Sequence, residues 1–89
     1  MDVEFHRSAF KHGFEAAAIS HAVDHALTVV DLDPDSDPPK VLAIGPDSAG
    51  NLLEVIWVDL AGGVEMVIHA MAWRSVFYDL LPTEKDPTP

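Results

Sequence analysis

Between Lys40 and Ala70 the chain carries three apolar runs joined only by short turn sequences, and that spacing leaves few folds open. Lys40–Gly45 leads into Pro46-Asp47-Ser48-Ala49-Gly50, then Asn51–Leu60, then Ala61-Gly62-Gly63, then Val64–Ala70. Connections this short cannot hold a crossover helix, so successive runs must be antiparallel neighbours in a meander. Within Val64–Ala70, strict alternation sends Val64, Met66, Ile68 and Ala70 one way and Glu65, Val67 and His69 the other, so that one face is core.

The flanking segments complete the pattern. Val3–Phe5 suits a short strand, and His6–His12 reads as a short helix closed by Gly13, a residue suited to the left-handed C′ position. Glu15–Ala26 places Ile19, Ala22, Val23, Ala26 and Leu27 on one helical stripe, with Glu15 at the positive end of the dipole. Leu27–Leu32 is β-branched and apolar, and it runs into Asp33-Pro34-Asp35-Ser36-Asp37-Pro38-Pro39, whose prolines and aspartates forbid regular structure. Beyond the meander, Trp73, Val76, Phe77, Leu80 and Leu81 recur at helical spacing, with Arg74, Ser75, Tyr78 and Asp79 on the polar side and Pro82 as the stop. The expectation is an α+β domain: N-terminal helices, a four-stranded antiparallel meander that becomes five-stranded if Val3–Phe5 joins it, and a C-terminal helix. Residues 1–81 form one domain and residues 82–89 a disordered tail.

A chain of 89 residues, 48% of them hydrophobic, supports a single core. It contains no cysteine, which excludes a disulfide framework and thiolate chemistry and fits a reducing compartment. The amino terminus carries acids where a signal peptide has basic residues, and no apolar run reaches the roughly 18 residues of a membrane span. The expected location is the cytoplasm, with no membrane partner. The formal net charge is −10, from 15 acids against 5 Lys plus Arg, which opposes non-specific binding to polyanions.

Lys11-His12-Gly13 ahead of the alanine-rich segment, Val41-Leu-Ala-Ile-Gly45, Gly50-Asn-Leu-Leu-Glu-Val55 and Val67-Ile-His-Ala-Met71 together resemble the BrnT family over about Phe5 to Leu81. The resemblance implies a RelE-like fold and the toxin half of a bacterial type II toxin–antitoxin pair. It further implies an mRNA-interferase type of ribonuclease that cuts RNA without a metal or cofactor, and a ribbon-helix-helix antitoxin as partner. Where family members leave the last strand through a basic run, this chain has Met71 and Ala72 and then Trp73-Arg74.

A metal-free ribonuclease needs a base near the 2′-hydroxyl, an acid for the leaving oxygen and a cation for the crowded phosphorus. His69, Arg74 and Tyr78 are the catalytic candidates. Arg7, Lys11 and His12 are the candidates for gripping the RNA backbone. His21 and His25, four apart on a helix, lack the Glu and further ligand of a zinc-hydrolase motif, and the aspartates between Asp31 and Asp37 lack the glycine and distal glutamate of a calcium loop, so no metal is expected. Trp57 and Trp73 read as core anchors. The competing expectation is a non-catalytic module that uses its acidic surface or a sheet edge to bind a basic protein or to form a homodimer.

Overall fold

The computed structural model describes residues 2–33 and 35–74. Strand β1 (Asp2–Phe5) leads into a 3-10 turn, Arg7–Phe10, and then helix α1 (Ala16–Asp24). Four strands follow: β2 (Thr28–Asp33), β3 (Lys40–Pro46), β4 (Leu52–Asp59) and β5 (Val64–Ala72). They form one five-stranded sheet in the order β1-β5-β4-β3-β2. β2 to β5 run antiparallel in sequence, while β1 lies parallel to β5, from Asp2 opposite Val64 to Phe5 opposite Val67.

This corrects the sequence expectation in two ways. The sheet is mixed, and α1 is the single α-helix among the described residues. The segment His6–His12 is too short to repay helix nucleation. It folds instead as a 3-10 turn that buries Ala9 and ties itself to β5: the Ser8 hydroxyl donates to the Ile68 carbonyl at 2.6 Å, and the His6 backbone N–H to the Val67 carbonyl at 2.9 Å. Trp73 and Arg74, the first residues of the expected closing helix, are not helical. The rest of that helix and the tail 82–89 lie outside the described residues. The described residues therefore do not form the RelE-like arrangement of N-terminal helices and a closing helix.

Helix α1 lies over β3 and β4. Ile19 and Ala22 face Val41 and Ala43 of β3, Leu53, Val55 and Trp57 of β4, and Val67 and Ala70 of β5, all buried. Gly45 decides how near the helix can come. A Cβ there would collide with the Ala22 carbonyl oxygen and stand 2.9 Å from the Ala26 Cα, so only glycine lets helix and strand meet at this distance. The His21 imidazole bonds the Pro46 carbonyl through Nδ1 at 2.8 Å and pins the same end of the helix. On the opposite face Leu42, Ile44 and Glu54 are also fully buried, so β3 is enclosed on both sides, as a continuous Val-Leu-Ala-Ile run requires.

The β4–β5 ladder slips by one residue. Ile56 stands opposite His69, but its neighbour Trp57 stands opposite Val67, which leaves Ile68 as the extra residue of a bulge. Strict alternation along β5 therefore fails: Val67 and Ala70, three apart, both enter the core under α1. His69 is carried to the opposite face, with Glu54 and Ile56.

Candidate active site

Glu54 is the centre of the site. It sits in the middle of β4 with no solvent exposure, and a buried carboxylate is tolerable only when its oxygens are occupied by donors. Oε1 accepts from His69 Nε2 at 3.0 Å and from Arg74 Nη2 at 2.7 Å. Arg74 Nε donates to Oε1 at 3.1 Å and to Oε2 at 3.2 Å, and the Arg74 backbone N–H donates to Oε2 at 3.2 Å. The hydrogen bond to Glu54 and, after it, the carboxylate charge hold the Arg74 guanidinium above its usual range.

Each partner arrives by a different route. Glu54 and His69 are diagonal neighbours across the β4–β5 ladder, because Glu54 pairs with Met71 and Ile56 with His69. The bulge at Ile68 makes this contact available. Without it, His69 would share the α1 face with Val67. Arg74 follows the end of β5, where the Trp73 N–H donates to the Leu52 carbonyl at 3.0 Å and keeps the chain beside β4. His12 comes from the other end of the sequence. The turn Arg7–Phe10, held to β5 through Ser8 and Ile68, sets the His12 ring edge-on to that of His69, with centroids 5.9 Å apart.

The arrangement is a buried carboxylate that fixes an imidazole and a guanidinium, with a second, exposed imidazole alongside. With Nε2–H of His69 given to Glu54, the Nδ1 lone pair of that ring is the one left to take a proton. The side chains of His69 and Arg74 are 25% and 51% exposed, so both reach solvent from an anchored base.

Of the residues singled out from sequence, His69 and Arg74 meet at one carboxylate. His12, expected among the RNA-binding residues, joins them. Arg7 and Lys11 are exposed on the same turn, and among the described residues neither is hydrogen-bonded to the cluster. Tyr78 lies outside the described residues. Glu54 is the residue that sequence reasoning missed, although a signal was present: an acid alone inside the apolar run Leu52–Val58 must find a partner if that strand is buried. His21 and His25 stack on each other at 4.1 Å on the surface of α1. Among the described residues no group of three or more His, Cys, Asp or Glu side chains could hold a metal ion.

Fold and site together define a small α+β domain carrying a carboxylate–imidazole–guanidinium cluster on one face of a mixed sheet. No family model, curated protein or solved structure matches the chain. Among the described residues no helix is long and apolar enough to cross a membrane.

Proposed function

We propose that this chain is a BrnT-like toxin of a type II toxin–antitoxin system, a metal-independent RNA endonuclease acting in the cytoplasm and restrained by a ribbon-helix-helix antitoxin. The observation that supports this reading is the pair of imidazoles, His12 and His69, with ring centroids 5.9 Å apart, one of them anchored to a buried carboxylate that also holds Arg74. Two imidazoles serve as base and acid in a phosphodiester transesterification. His69 Nδ1 takes the proton of the 2′-hydroxyl, and the 2′-oxygen attacks the adjacent phosphorus. The bond to the 5′-oxygen breaks, and protonated His12 supplies that oxygen with its proton. Arg74 offsets the charge that builds on the phosphoryl oxygens. The products are a 2′,3′-cyclic phosphate and a 5′-hydroxyl, and the site is restored when a proton passes from His69 back to His12 through solvent.

The direct test incubates the purified chain with RNA in the presence of a chelator and identifies the new ends. Cleavage that yields cyclic phosphates and falls at least about 100-fold in both His69→Ala and His12→Ala is expected, in line with what one acid or base contributes. Absence of cleavage, or cleavage indifferent to both substitutions, removes the enzymatic reading.

The net charge of −10 favours a second reading: the same scaffold as a non-catalytic module that binds a basic protein. Growth arrest on induction supports the toxin, and harmless induction supports the module.

A further inference from the structure

The second edge of the sheet carries an interaction surface that the cluster around Glu54 does not use. Among the described residues β2 pairs only with β3, so its outer backbone edge is open. Helix α1 packs mainly on β3 and β4. Val29, which stands opposite Ala43 and so shares the face of α1, is left 53% exposed, and Leu27 and Leu32 are 50% and 39% exposed. These apolar side chains are interleaved with acids. Asp31 and Asp33 are exposed on the strand, and Asp35 and Asp37 are exposed in the loop that continues it. Lys40 is the register partner of Asp33, yet among the described residues none of these four aspartates is in an ion pair.

The acids of β2 and the bulge between Asp31 and Asp33 are devices that also guard an edge against aggregation. This edge combines an open ladder, exposed Val and Leu side chains and unpaired carboxylates, which is the chemistry of strand addition: main-chain bonds for affinity, alternate side chains for selectivity. A second copy of this chain does not fit. Pairing β2 with β2 gathers Asp31 and Asp33 of both copies, each chain already at a net charge of −10, along one ladder, and like charges brought together repel. The complementary occupant is cationic. We infer that the β2 edge binds an extended, basic segment of a separate protein, a strand alternating Lys or Arg with aliphatic residues. This surface stands apart from Glu54, His69 and Arg74, so it holds whether or not the chain cleaves RNA.

The test titrates an acetylated octapeptide of alternating Lys and Val into the full chain, with its Glu and Val counterpart as control, and follows backbone amide shifts. Shifts concentrated on residues 27–33 with the Lys peptide and absent with the Glu peptide are expected. Both Val29→Lys and the pair Asp31→Lys, Asp33→Lys should weaken binding at least tenfold, with the remaining amide spectrum unchanged. Shifts scattered over the acidic surface, or binding unaffected by either substitution, overturn the inference. So does sedimentation showing a dimer of the chain alone that Val29→Lys dissolves, since a second copy then occupies the edge. RNA cleavage by the Val29→Lys chain reads the other site separately.

Discussion

Replacing Glu54 with Gln keeps the size of the side chain, removes its charge and exposes what the carboxylate contributes. Glu54 has no exposure, and its two oxygens accept from His69 Nε2, Arg74 Nε, Arg74 Nη2 and the Arg74 backbone N–H. An amide has a single acceptor oxygen. If that oxygen takes the place of Oε1, the NH2 group confronts the Arg74 N–H; if it takes the place of Oε2, the NH2 group confronts Arg74 Nη2. In either orientation a donor meets a donor at a fully buried side chain. Hydrogen bonds to a charged group contribute about 1.5–3 kcal/mol each, and a buried group left without its partner costs a similar amount. We therefore expect Glu54→Gln to lower stability by about 2–3 kcal/mol. That is a large share of the roughly 4–13 kcal/mol available to a domain of this length. At about 4–8 °C for each kcal/mol, the melting temperature should fall by at least about 8 °C. Urea unfolding followed through the fluorescence of the buried Trp57 measures the change directly. A variant within about 0.5 kcal/mol of the parent, the ordinary range for an inconsequential surface change, would refute the argument that this carboxylate holds the strand end and the His69 ring together.

Gly45→Ala pushes a methyl group into the Ala22 carbonyl of α1; the helix must lift from β3, and a loss of about 2–3 kcal/mol is expected in the same urea assay. Deleting Ile68 turns the bulge into a regular ladder in which Val67 and His69 are consecutive and point to opposite faces, so His69 stays opposite Ile56 on the Glu54 side and the nuclear Overhauser contact between the His69 ring and the Ile56 side chain should persist; its loss contradicts the reading of Ile68 as the one extra residue. Asp47 lies below its ordinary 3.8, chiefly because its carboxylate accepts the Asn51 backbone N–H. A depressed folded value makes its stabilising effect fully present above 3.8 and lost as pH falls through the lower folded value. The stability gap between the parent and Asp47→Ala should thus be constant above about pH 5 and shrink towards pH 2; a gap that does not change with pH contradicts this.

The turns and strands of the second half are written locally. Pro46-Asp47-Ser48-Ala49-Gly50 is turn chemistry, and Asp47 caps its own turn by accepting from Ala49 N–H and Asn51 N–H. Ala61-Gly62-Gly63 supplies the positive φ that the β4–β5 connection uses, 80° at Gly62 and 81° at Gly63. The alanine-rich segment before the Asp-Pro loop carries the period of a helix, and α1 forms within it. Each of these signals depends only on residues a few positions apart, which is why composition and spacing reveal them.

Three features belong to the tertiary structure alone. The parallel docking of β1 on β5 joins residues some sixty positions apart, and no local period encodes which edge a short N-terminal strand will find. The 3-10 turn is fixed on the sheet by the Ser8 hydroxyl and the His6 N–H, which donate to carbonyls of β5 some sixty positions away. The bulge at Ile68 matters most for function: side chains alternate with a period of two, so one extra residue reverses every face beyond it. Composition and spacing therefore determine that His69, Arg74 and a solitary Glu54 exist within one strand-rich stretch. Only the one-residue slip between β4 and β5 decides that the three meet, with His12 brought beside them from across the sheet.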